Sequence, residues 1–204
     1  MNRISLAAAG AALALLTVSC AGAPPPPNLH LLTAEQPPKA GQSSTADLPK
    51  ILVAQAQVPD YLDRPQLVEH TSANGLKLLD NDQWAERLSM NVARVVAQNL
   101  SAMVPADASI PLPLRGSFPY KCQVVISLNT FELDSNGGEA LLAGRWSIAD
   151  ATGDNELAAA TVSLRKPANG PGIAGAVDAM SKALGDVSRD IAAQVKKLGA
   201  QCGS

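Results

Sequence analysis

Residues 120–134, YKCQVVISLNTFELD, read as a β-strand, and so do EALLAGRWSIAD at 139–150 and ELAAATVSLRK at 156–166. Ser-Asn-Gly-Gly at 135–138 and Ala-Thr-Gly-Asp at 151–154 supply tight turns between them, so the three predict an antiparallel meander. Toward the C-terminus, Ile173, Val177, Met180, Leu184, Val187, Ile191, Val195 and Leu198 recur every three or four residues, as on a helix with one buried face. Lys196, Lys197 and Gly199 signal its end. Toward the N-terminus, Trp84, Leu88, Val92, Val95, Val96, Leu100 and Met103 carry the same period, with residues 80–82 as capping groups and Pro105 beyond the end. Before that helix, KILVAQAQV (50–58) is stopped by Pro59, and QLVEH (66–70) and GLKLL (75–79) flank a turn at Asn74-Gly75; all three read as short strands. NLHLLTA (28–34) reads as another. The order strands, helix, three-strand meander, helix predicts an α+β fold: a largely antiparallel sheet with two helices packed on one face.

The chain begins with one positive residue, Arg3, then an uncharged apolar stretch over 4–18, then Ser19 and Cys20. That order predicts an export signal, and the apolar stretch is shorter than the roughly 20 residues a membrane-spanning helix needs. Leu16-Thr17-Val18-Ser19-Cys20 resembles the lipobox of bacterial lipoproteins, with Thr17 where the pattern usually has leucine. A Cys20 carrying several acyl chains, palmitate among them, would tether the mature chain stably to a membrane. Ala21, rather than aspartate, follows it, which points to the periplasmic side of the outer membrane. The expected organisation is a signal peptide over 1–19, a lipidated N-terminus with a short strand and a flexible Pro/Ser/Thr-rich tether over 20–47, and a single domain over 48–204.

Loss of the signal removes Arg3, leaving 15 basic against 18 acidic residues, a net charge of −3. Such a chain has no electrostatic footprint for nucleic acid. Cys122 and Cys202 remain once Cys20 is lipidated, and an even pair in an exported protein predicts a disulfide; two separate thiols are the alternative. His30 and His70 are the two histidines, and neither stands at metal-ligand spacing, so no metal and no cofactor is expected. Asp80 opens like a calcium loop, but Ala85 stands where glycine is needed and Asn91 where a bidentate glutamate is needed. GPGIAG (170–175) spells a dinucleotide fingerprint, yet the chain ends with the helix it opens and never returns to a parallel strand. There is no nucleophile elbow and no phosphate loop, so an enzyme is not expected.

One stretch remains, YLDRPQLV (61–68), followed by Trp84-Ala85-Glu86. It resembles the signature of the ABC-type transport auxiliary lipoproteins (PqiC/YmbA-like), and the likeness runs through FELD (131–134) and the Trp146 strand to the last helix. The resemblance implies a periplasmic auxiliary component working beside an ABC permease and ATPase and an MCE-domain protein in lipid transport, docking or completing a conduit at the outer membrane. Two readings of the stretch stay open. Tyr61, Leu62, Asp63, Arg64, Pro65 and Gln66, with Trp84 and Glu86, would bind a partner, Pro59 and Pro65 stiffening an extended connector. Alternatively, Asp63 and Arg64 pair internally and Tyr61 covers the helix. Small residues at 176, 179, 183, 185, 192 and 193 give the last helix a smooth flank, for its own sheet or for a homo-oligomer. The competing function is a periplasmic carrier that itself binds a lipid or other apolar ligand.

Overall fold

The computed structural model describes residues 25–35, 50–104, 107–109 and 119–202; the export segment, Cys20, the tether over 36–47 and Pro105 lie outside them. Strands β1 (Asn28–His30), β2 (Lys50–Val53), β3 (Gln66–Ser72), β4 (Gly75–Trp84), β5 (Asp107–Ser109), β6 (Cys122–Leu133), β7 (Glu139–Asp150) and β8 (Glu156–Pro167) form one sheet. Helices α1 (Leu88–Met103) and α2 (Gly172–Leu198) pack on each other and on the sheet, which makes the fold α+β.

The meander forms because β6 alternates: Cys122, Val124, Ile126 and Leu128 are buried while the residues between them are partly exposed. It pairs with β7 from Cys122 opposite Asp150 to Leu133 opposite Ala140, and β7 pairs with β8 along its length. A bulge skips Asn129, and there Gly144 lies against the β6 backbone: a Cβ on it would sit 2.8 Å from Leu128 Cα. Beyond the meander the sheet is mixed. β3–β4, β6–β7 and β7–β8 are antiparallel, whereas β1–β4, β2–β5, β2–β6 and the single β3–β6 bridge at Glu69 and Leu133 are parallel. The antiparallel neighbours share tight turns, while the parallel neighbours are separated by the long connections that such pairs require.

Three elements differ from expectation. α1 begins at Leu88, not at Trp84, because residues 80–84 extend β4 and pair in parallel with β1, Asn28 opposite Asp82 and His30 opposite Trp84. The aspartates that read as caps are strand residues, and Asp82 Oδ1 lies 2.7 Å from His30 Nε2. β2 stops at Val53; the chain then follows β6 irregularly through Ala54 N–H to Val124 O, 2.9 Å, and Gln57 N–H to Ile126 O, 2.8 Å. NLHLLTA is a strand only over its first three residues.

The core lies between sheet and helices. Val92, Val95, Val96 and Leu100 of α1, with Met180, Leu184, Val187, Ile191 and Val195 of α2, close over Ile126, Leu142, Trp146 and Ile148. The smooth flank of α2 is used within the chain: Ala176, Ala179, Ala183, Gly185 and Ala192 are buried and Ala193 is exposed. Cys122, at the start of β6, and Cys202, just past α2, form a disulfide with Cα atoms 5.1 Å apart.

Candidate functional site

Residues 59–65 fold into a turn rather than an extended connector, because the Pro59 carbonyl accepts the N–H groups of Leu62 (2.9 Å) and Asp63 (3.2 Å). The turn ties three elements together. Leu62 points into the core at 1% exposure and Trp84 is also buried, so neither presents a surface to a partner. The first N–H groups of a helix lack intrahelical partners. Asp63 Oδ1 accepts the Ser89 N–H at 3.2 Å, capping α1 from outside in place of Arg87, whose side chain makes no cap bond. A carboxylate at that end also meets the positive end of the helix dipole. The Pro65 carbonyl accepts the Trp84 N–H at 2.7 Å, and Gln66 pairs with Gln83. Tyr61 donates its hydroxyl to the carbonyl of Asn129, the residue the β6 bulge leaves without a cross-strand partner, at 3.1 Å. Burial first, and the nearby Glu132 carboxylate second, push the Tyr61 phenol above its ordinary pKa.

Glu132 is almost fully buried on β6. One of its oxygens lies 2.7 Å from His70 Nδ1, and the other, Oε2, has no hydrogen-bond partner among the described residues. Arg64 Nε is buried in the same unpartnered way, so the internal pairing of Asp63 with Arg64 or Glu86 is absent. Glu86 pairs instead with Arg94, at 2.7 Å. Of the stretch, Tyr61, Asp63, Arg64, Pro65 and Gln66 retain exposed surface.

A second arrangement had no reading in the sequence. After β1 the chain leaves the sheet and lies as a strap across α1 and α2. Leu32 is fully buried, and Arg94 donates to its carbonyl at 3.1 Å while also bonding Glu86, Asn91 and Gln98. Thr33 N–H donates to Ser181 Oγ at 3.2 Å, and Glu35 N–H donates to Asn99 Oδ1 at 3.0 Å. Asn99 in turn donates to Ser188 Oγ at 3.1 Å. Glu35 pairs with Arg189 and lies over Gly185, where any side chain would occupy its place. Buried polar groups need partners, and here Asn99 and Ser181 serve the backbone of an extended segment. The signal that could have found them is a polar residue inside an apolar helix face: Asn99 beside Leu100 and Val96, and Ser181 and Ser188 around Leu184.

Beside the strap an open cleft of about 320 Å³ is lined by Thr33, Ala34, Glu35, Asp178, Ser181 and Lys182. Lys182 and Asn169 hold the Asp178 carboxyl below the ordinary carboxylate range. The lining is polar, unlike the mostly apolar walls a lipid carrier needs. Among the described residues no group of three His, Cys, Asp or Glu could hold a metal, and no helix is long and apolar enough to cross a membrane.

The family described as the ABC-type transport auxiliary lipoprotein component matches residues 30–192, a span that holds the turn, the strap, α1 and most of α2. The chain belongs to that family. No curated protein sequence matches it. Among solved structures, an uncharacterised protein superposes with a TM-score of 0.65 at 19% identity, over 84% of this chain and 99% of that one. A Xanthomonas campestris protein of the DUF330 family superposes with a TM-score of 0.62 at 15% identity, over 85% and 98%. At those identities the likeness concerns the fold. The family is one of transport auxiliary lipoproteins and not of enzymes.

Proposed function

We propose that the chain is a lipid-anchored periplasmic auxiliary component of an ABC transport system with an MCE-domain partner, docking or completing a lipid conduit at the outer membrane. In this reading residues 1–19 direct export, Cys20 carries the acyl anchor, and 48–204 form the working domain together with the strap. The observation that supports it is the family match, which spans the strap and the turn at 59–65 together.

The strap changes what the anchor does. Residues 20–47 read as a lipidated N-terminus, a short strand and a flexible tether; with that strand paired to β4 and 31–35 fastened to α1 and α2, the chain from Cys20 to Asn28 is eight residues. Fully extended, that spans about 26–29 Å. The domain is then held against the bilayer rather than ranging through the periplasm. Partner contact falls to the exposed parts of Tyr61, Asp63, Arg64, Pro65, Gln66 and Glu86, since Tyr and Arg are favoured interface anchors and Leu62 and Trp84 are spent in the core.

Photoreactive residues at Tyr61 and Arg64, crosslinked in cells and followed by mass spectrometry, test the docking edge. Capture of an MCE-domain protein supports it. Capture of this chain's own β6 and α1 alone makes the turn internal scaffolding and refutes the edge.

A further inference from the structure

β1 runs parallel to β4 with Asn28 beside Asp82, so the chain upstream of Asn28 leads back toward the start of β4, where it leaves the β3–β4 turn. That end carries Leu76 and Leu78, exposed to 46% and 37%. With Leu29 at 66% and Leu31 at 44%, they are the exposed large apolar side chains among the described residues.

The register puts three of them on one face. Leu76 lies opposite His70, Leu78 opposite Val68, and Gln66 opposite Gln83, which in turn lies opposite Leu29. Alternate residues of β3 share a face, so Gln66, Val68 and His70 align, and with them Leu29, Leu76 and Leu78. His70 meets Glu132 there, on the side of the sheet away from the helices. The turn itself, residues 71–75, is Thr-Ser-Ala-Asn-Gly and carries no charge. Lys77, between the two leucines, sits 3.6 Å from Glu69, which offsets its charge, and the exposed Asp80 follows Leu78 by two residues.

Length supplies the rest. A bulge takes residues 80–82 of β4 out of register with β3, so from the level of Gln66, opposite Gln83 and so beside Leu29, to that of His70, opposite Leu76, is four residues of β3, about 13 Å at the rise of a strand. The eight residues from Cys20 to Asn28 can span at most about 26–29 Å. The tether is therefore long enough for Cys20 to enter the bilayer while the hairpin end rests on its surface.

We propose that this hairpin end is a second membrane contact: Leu76 and Leu78 rest in the interfacial layer of the bilayer that holds Cys20, with Leu29 facing it at the foot of the tether. The partner of this surface is lipid. The proposal rests on the anchor reading above. Two points of attachment fix the orientation of the domain, which a single flexible tether does not.

The test uses the full acylated chain in phosphatidylethanolamine–phosphatidylglycerol vesicles containing brominated phosphatidylcholine. The variants are Leu76→Trp, Leu78→Trp and, as a control on the exposed part of β8, Thr161→Trp. Trp84 and Trp146 are buried and give a constant background. An apolar group at the headgroup–acyl boundary sits about 5–10 Å deep, so the bromines should remove about half of the added emission at 76 and 78 and leave that at 161 unchanged. Equal emission at all three positions, in protein that floats with the vesicles and has the mass of the acylated chain, overturns this inference and leaves the anchor standing. Protein that lacks the acyl mass, or does not float, overturns the anchor reading and this contact with it.

Discussion

The double change Cys122→Ala with Cys202→Ala removes a crosslink between the first residue of β6 and the segment just past α2, 80 residues apart. In the chain-entropy account, a closed loop of that length withholds from the unfolded chain freedom worth about 4.5 kcal/mol. Both residues are fully buried, and alanine fills each site without a new polar group. For a domain of about 150 residues, that loss corresponds to a melting point lower by about 9–18 °C. Urea unfolding followed by the fluorescence of Trp84 and Trp146, both buried against the core, reads the change directly. The reduced native chain should fall by the same amount as the double variant. A loss under about 1 kcal/mol in both would refute the reasoning, because α2 would then be secured by packing alone; a native chain indifferent to reductant would mean that the two sulfurs are not joined.

Two glycines predict opposite outcomes. Gly144→Ala drives a Cβ into the fixed backbone of the β6 bulge, 2.8 Å from Leu128 Cα, and should cost about 2–4 kcal/mol in chemical denaturation. Gly185→Ala meets only the end of the Glu35 side chain; helix propensity favours the change by about 1 kcal/mol, so global stability should hold or rise while amide exchange at Thr33 and Glu35 accelerates. Acid titration gives the third prediction. Hydrogen bonds from Asn155 first, then from Thr152, lower the Asp150 carboxyl from 3.8 to about 2. A depressed folded pKa means that the contribution to stability is complete above the unfolded value and fades as pH falls toward about 2. Carboxyl NMR should show that midpoint, and Asn155→Ala should raise it.

The meander and the buried stripes of both helices were legible because their periods are local: alternate residues of β6 and every third or fourth residue of α2 report one face each. The start of α1 was not. Trp84 stands four residues before Leu88, a helical interval, and Asp80 and Asp82 are good capping residues; only the distant β1, arriving from residues 28–30, makes them strand. Parallel pairing was hidden for the same reason, since β2 and β6 are neighbours across a long stretch of sequence. The stretch at 61–68 was recognised as informative, but its leucine faces inward and its aspartate caps a helix 26 residues on, which only the tertiary fold reveals. The strap was the least legible part: its bonds reach 64 residues to Asn99 and 148 to Ser181.

Those spans also order events in time. The seat for residues 31–35 is built jointly by α1 and by α2, the last helix of the chain. The earliest-made segment described thus finds its place only after the latest-made helix exists, and contacts this remote in sequence form slowly. Until then residues 31–35 lack half of their seat, and a chain without α2 leaves them unfastened. The fastened strap thereby becomes a mark of completion: in a finished molecule residues 31–35 are covered, and in an unfinished one they hang loose, open to proteolysis.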